Sequence, residues 1–218
     1  MDKNIKLIVF DLDGTLLNTR EDICNSMNYA LAYYGLPERA LDEYNHIVGG
    51  GTLTAAYRSC PENTPDEEVE KVFNLYKTHY SAHCLDKSYV YEGINTLLYR
   101  LRIMGMILGV LTNKTDTEAK KILDHYFPNK PFAAVLGNRG DIPIKPRPDM
   151  GIWLCRTLNI SASSGLYLGD SDTDVLFAKA VGFVPVGAGW GFRGREELIY
   201  AGAKAVLDNP KELLDLLR

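Results

Sequence analysis

The chain has 218 residues, 46% of them hydrophobic and 24% charged, with a net charge of −4. It is long enough to bury a full core, and its acidic balance with scattered Lys and Arg argues against a nucleic-acid partner. No apolar run reaches the length that crosses a bilayer, the start Met1-Asp2-Lys3-Asn4-Ile5 lacks the apolar core of a signal peptide, and Cys24, Cys60, Cys84 and Cys155 form no Cys-x-x-Cys pair, so a reducing, cytoplasmic compartment and no membrane are expected.

In chain order, Ile5–Phe10 is a run of strand formers, followed at once by Asp11-Leu12-Asp13-Gly14-Thr15-Leu16. From Asn18 to Ser88 no convincing strand occurs. Ile23, Met27, Ala30, Leu31 and Tyr34 form one apolar stripe of helical period there. Val69, Val72, Phe73, Tyr76 and Tyr80 form another, opened by the acidic turn Asp66-Glu67-Glu68, which complements a helix dipole. These stripes predict a small helical domain, residues 18–88, inserted into a core of residues 1–17 and 89–218. The hinges are expected at Leu17–Arg20 and Leu85–Gly93. Beyond the insertion, helical and strand-like segments alternate. Ile94, Leu97, Leu98 and Leu101 mark one helix, and Ala119, Ile122, Leu123 and Tyr126 another, capped by Thr115 or Asp116. Met106–Thr112, Phe132–Leu136, Gly165–Gly169, Phe183–Val186 and Ala205–Leu207 read as strands, and Pro210 opens a last helix over Lys211–Leu217. Such alternation predicts an α/β chain with a doubly wound parallel sheet.

Asp11 and Asp13 would leave the sheet at the carboxyl end of its first strand, the edge where ligands bind in open α/β sheets. Two neighbouring buried carboxylates are costly unless a cation joins them, and a carboxylate beside a cation is placed to attack phosphorus. Three more segments end strands of the same sheet: Thr112-Asn113, Lys145 within Ile144-Lys145-Pro146, and Gly169-Asp170-Ser171-Asp172-Thr173-Asp174. Asp172 reads as a helix cap. His79 and His83 stand at i, i+4 without an evident third ligand, so no zinc site is expected. Gly49-Gly50-Gly51 lacks the strand-turn-helix context of a nucleotide loop; it reads as a tight turn whose bare backbone can approach a ligand.

The ordered set of Asp11-Leu12-Asp13-Gly14-Thr15, Thr112, Lys145 and Gly169-Asp170 resembles the four motifs of the haloacid dehalogenase superfamily, across the whole chain. Val48-Gly49-Gly50-Gly51, Tyr91-Glu92-Gly93-Ile94 and Trp190-Gly191-Phe192-Arg193-Gly194-Arg195-Glu196-Glu197-Leu198 resemble its phosphoglycolate phosphatase-like branch, whereas Asn18-Thr19-Arg20 departs from the Asp-Ser linker common there.

The resemblance implies a Rossmann-like core with an inserted helical cap. It also implies a Mg²⁺-dependent phosphatase acting on a small phosphorylated metabolite, 2-phosphoglycolate being a candidate. Asp11 would be the nucleophile and Asp13 the general acid and base. Thr112 and Lys145 would hold the phosphoryl group, with Gly14, Asn113 and Gly50 beside the substrate. Mg²⁺ would take Asp11, the backbone carbonyl of Asp13 and Asp170, and Asp174 would orient Lys145 or a metal-bound water. Monomer and homodimer both fit. A sugar-phosphate mutase, a nucleotidase or a pyrophosphatase would keep the same core. A phospho-receiver domain, with a similar acidic cluster, would lack both the helical insertion and the second Asp before Gly14.

Overall fold

The computed structural model describes residues 5–218. β1 (Leu7–Phe10) is buried at every position, as a strand sandwiched between two layers must be. Its alternate residues feed two cores: Ile8 and Phe10 face one side of the sheet, Leu7 and Val9 the other. The chain then makes β2 (Leu17–Asn18), α1 (Arg20–Tyr33), α2 (Tyr44–Ile47), α3 (Thr52–Ser59), α4 (Asp66–His83) and β3 (Tyr89–Val90). There follow α5 (Ile94–Ile103), β4 (Ile107–Thr115), α6 (Asp116–Tyr126), β5 (Ala134–Asn138), α7 (Asp149–Leu158), β6 (Gly165–Gly169) and α8 (Asp172–Val181). β7 (Val184–Ala188), α9 (Arg195–Ala201), β8 (Ala205–Leu207) and α10 (Glu212–Leu216) complete it.

Six strands form one parallel sheet in the order β5-β4-β1-β6-β7-β8. The chain builds outward from β1 first toward β5 and then toward β8, so the order reverses at β1. That reversal opens the crevice in which ligands bind in this architecture.

The apolar stripes do what their spacing requires. α1 and α4 pack along one another, burying Ile23, Met27, Ala30 and Leu31 against Val69, Val72, Tyr76 and Tyr80. Among the described residues no helix is long and apolar enough to cross a membrane.

Three local expectations are corrected. Asn18 is not strand-free: Leu17 and Asn18 pair antiparallel with Val90 and Tyr89, a ribbon too short to show a period. β4 runs past Thr112 to Thr115, with an irregular register between Leu111 and Thr115. Neither Thr115 nor Asp116 caps α6 through its side chain; Asp116 instead accepts from Gly137 N at 3.0 Å.

The two-stranded ribbon is fastened by a residue whose sequence context gave no sign of it. The Asp22 carboxylate, 2% exposed, accepts from Lys87 N at 2.8 Å, Ser88 N at 2.8 Å and Ser88 Oγ at 2.6 Å. Replacing it strands two backbone donors away from water. Asp22→Ala is therefore expected to lower unfolding free energy by about 2–4 kcal/mol in a urea titration. A loss under about 0.5 kcal/mol, the size of an ordinary surface change, would show that the ribbon does not depend on this carboxylate.

Candidate active site

Phe10 pairs with Val110 on one side and Leu168 on the other, so the end of β1 lies level with Val110 of β4 and Leu168 of β6. Asp11 N still bonds Leu168 O at 2.9 Å, which fixes where its side chain emerges. Asp11, Thr112, Asn113, Lys114 and Asp170 all line one cavity at that edge, of about 40 Å³. Ile23, Ala55 and Tyr76, from the inserted helices, close the other end.

Lys145 is 3% exposed, and three groups surround its ammonium. Nζ lies 2.7 Å from Asp174 Oδ1, 2.8 Å from the Tyr167 hydroxyl and 2.9 Å from Asp11 Oδ1. Burial alone would lower its pKa, but Asp11 and Asp174 overcome that and hold the ammonium charged well above the usual lysine range. Asp174 is anchored in turn. Ser171 caps α8 through a reciprocal box in which Asp174 Oδ2 accepts from Ser171 N at 3.1 Å and Ser171 Oγ at 2.6 Å. The cap is thus Ser171, not Asp172, which opens the first turn.

Asp11 Oδ1 is the exception in this satisfied network. It is buried, and its contact with Lys145 is an ion pair without hydrogen-bond alignment. Burial pushes the Asp11 carboxyl up to about 7; Lys145 pulls the other way, and Asp174 and Asp13 add to the rise. Asp170 is raised as well, by burial first and then by Asp174 and Asp11.

Ligand atoms of Asp11, Asp170 and Asp174 lie within 4.8 Å of one another, an arrangement that fits a divalent cation. The backbone leaves Asp170 room on two sides. A Cβ on Gly14 would stand 2.1 Å from Asp170 Oδ2, and one on Gly191 would stand 2.2 Å from Asp170 Cβ. Phe192 N, 2.8 Å from Oδ2, orients the carboxylate. The unpartnered oxygen of Asp11, the oxygen-only donor set and this glycine-lined cradle all suit such an ion.

Asp13 is held separately. Its Oδ1 accepts from Thr19 Oγ1 at 2.7 Å, and Lys114 Nζ meets both its oxygens at 2.9 Å. Lys114, one residue past Thr112-Asn113, escaped the sequence reading. It is 5% exposed and sits 4.7 Å over the Tyr80 ring. Burial pulls its pKa down, and Asp13 more than offsets that. The available signal was β-strand phase: a lysine in the buried stretch of a central strand needs a carboxylate, and Asp13 was the one close in space.

Asn113 joins three segments. Its Nδ2 donates to Gly49 O at 2.9 Å and Lys145 O at 3.0 Å, while Oδ1 accepts from Lys145 N at 2.9 Å. Arg193 grips the same glycine-rich turn through His46 Nδ1 at 2.7 Å and Val48 O at 3.1 Å.

Two expected contacts are corrected. Gly14 donates its N–H to Leu17 O at 2.8 Å and does not line the cavity; its place is set by clearance for Asp170. Gly50 faces away, into an outer cleft with Thr54 against it, while Gly49 and Gly51 line the cavity. His79 bonds Ser26 Oγ at 3.0 Å and stacks between Tyr29 and His83, and no metal cluster forms there among the described residues.

Residues 8–188 match the family model of the haloacid dehalogenase-like hydrolases. The chain is 29% identical, over 100% of both chains, to the phosphoglycolate phosphatase of Haemophilus influenzae strain 86-028NP. It is 28% identical to the N-acetylmuramic acid 6-phosphate phosphatase of Pseudomonas aeruginosa, over 98% of this chain and 95% of that one. The crystal structure of a predicted phosphoglycolate phosphatase from Haemophilus somnus 129pt superposes with a TM-score of 0.91 at 26% identity, covering 99% of each chain.

The raised Asp11 pKa has a measurable consequence in the metal-free protein. An unfolded Asp11 titrates near 3.8 and the folded one near 7. Between those values the native state holds more protons, so this group lowers stability as pH rises through the window. Asp11→Asn is expected to melt higher than the parent, with the gain growing from pH 4 to pH 8 by about 1–3 kcal/mol. A gain independent of pH would contradict the assigned burial effect.

Proposed function

The chain belongs to the haloacid dehalogenase-like hydrolases and is a phosphoric monoester hydrolase; we propose that its substrate is a small ester of the 2-phosphoglycolate kind, its nucleophile Asp11 and its metal Mg²⁺. The observation that carries this reading is the buried Asp11 Oδ1, without a hydrogen-bond partner, at the mouth of β1 and 2.9 Å from a lysine ammonium. A carboxylate so placed has low solvation and an open lone pair for phosphorus.

In the proposed reaction an Asp11 oxygen forms a bond to phosphorus as the ester P–O bond opposite breaks. Asp13 gives its proton to the departing oxygen. As a carboxylate it then takes a proton from water, which attacks the aspartyl-phosphate and frees phosphate and Asp11. Lys145 and Thr112 stabilise the phosphoryl oxygens, and Asp174 keeps Lys145 aimed. Asp11, the Asp13 carbonyl and Asp170 would hold Mg²⁺, whose charge screens the repulsion between carboxylate and phosphate dianion.

Residues 18–88 act in this reading as a cap over a core of residues 1–17 and 89–218, and the glycine-rich turn is its contact with the site. The bond from Asn113 to Gly49 O supports that. Docking of this turn excludes water and strengthens the charge interactions inside. The cysteines, all free, agree with a reducing cytoplasm.

Asp11→Asn should reduce kcat by on the order of 10³-fold or more with the fold intact by circular dichroism. Retention of a few per cent of activity, with contaminating phosphatase excluded, would refute the nucleophile. Exhaustive chelation should abolish turnover, with Mg²⁺ restoring it and Ca²⁺, which takes more ligands at longer distance, failing to do so. Full activity after chelation would refute the metal.

A further inference from the structure

Three cations stand at the catalytic edge, and they are held in different ways. Lys145 donates to Asp174 and Tyr167 and pairs its charge with Asp11. Arg193 holds His46 Nδ1 and the carbonyls of His46 and Val48, with Glu197 Oε2 3.6 Å away. Lys114 differs. Two of its N–H groups meet the two oxygens of Asp13, which leaves a third, and the side chain lines the cavity. It stands where β4 meets α4, between Tyr80 and the end of the cavity that Ile23, Ala55 and Tyr76 enclose.

We propose that Lys114 is the specificity residue for an anionic leaving group, binding a carboxylate carried on the carbon next to the ester oxygen. The inference rests on the phosphatase reading above, with Asp13 reaching the ester oxygen. Distance limits the class. Nζ is 2.9 Å from the Asp13 oxygens. A further hydrogen bond of about 2.7–2.9 Å from Asp13 puts the ester oxygen within about 6 Å of the ammonium. A carboxylate one carbon from that oxygen can span this gap to the ammonium. An ester without the anion leaves a buried donor facing an apolar group, the kind of mismatch that discriminates most strongly between substrates.

The test compares kcat/KM for 2-phosphoglycolate and its neutral amide, 2-phosphoglycolamide, with p-nitrophenyl phosphate as a generic ester. The native enzyme should prefer the carboxylate by about 100-fold or more. Lys114→Met and Lys114→Gln should bring the ratio to within about fivefold, whatever rate both esters lose in common, while Lys114→Arg should keep most of the preference. The native enzyme alone gives a second reading that needs no variant: inhibition by 3-phosphonopropionate should be at least about 30-fold tighter than by propylphosphonate. Equal losses on both esters in the folded Met and Gln variants, or equal inhibition by the two phosphonates, would confine Lys114 to holding Asp13 and overturn the inference. Turnover of p-nitrophenyl phosphate without preference between the two-carbon esters would overturn it alone. Failure to hydrolyse any of the three would overturn the phosphatase reading and the inference together.

Discussion

One ammonium group, Lys145 Nζ, stands between the carboxylates of Asp11 and Asp174, and the carboxyl edge of the sheet is arranged around it. Three buried carboxylates within a few ångströms cannot all be charged without a counter-ion. Lys145 answers part of that demand and is itself fixed by Tyr167, whose hydroxyl also donates to Leu111 O at 2.8 Å. The Ser171–Asp174 box ties the same network to the start of α8. What remains are the carboxyls of Asp11 and Asp170, raised first by burial and then by neighbouring carboxylates, in an acidic cluster that fits a divalent ion.

The topology makes that concentration of charge possible. Because the strand order reverses at β1, the carboxyl ends of β4 and β6 flank it without a crossing helix to cover them. Residues far apart in sequence therefore meet: Asp13 with Lys114, Gly14 with Asp170, Thr15 with Trp190, whose Nε1 donates to Thr15 O at 3.1 Å. Asn113 extends the connection to the inserted helices. One amide binds both the Lys145 loop and the glycine-rich turn, so the positions of the turn and of Lys145 share a residue.

Much of this was legible from residue order, because buried parallel strands and amphipathic helices have strong periodic signals. β6 and β8 have the bounds read from sequence, and the stripes of α1 and α4 face each other. The illegible parts are those that depend on pairing across long separations. The β2–β3 ribbon is two residues long, and Asp22 serves backbone donors more than sixty residues away. Lys114 has meaning only once Asp13 lies opposite. In the turn Gly49-Gly50-Gly51 the composition announces close approach, but which glycines face the cavity depends on backbone direction; Gly49 at φ 114° and Gly51 at φ 90° face it and Gly50 does not. Gly14 was read as a substrate neighbour, whereas its absent side chain makes space for Asp170.

The central claim is that the unpartnered Asp11 oxygen is the atom that takes the phosphoryl group. The direct measurement is rapid acid quench of the enzyme during turnover of a fast ester with Mg²⁺ present, followed by borohydride reduction and peptide mass spectrometry. The account predicts a phosphoryl adduct, converted on reduction to homoserine, at Asp11 alone, appearing within the first turnover and decaying as substrate is exhausted. An adduct at Asp13 or Asp170, or steady turnover with no adduct at any carboxylate under conditions where hydrolysis of the intermediate limits the rate, would contradict it.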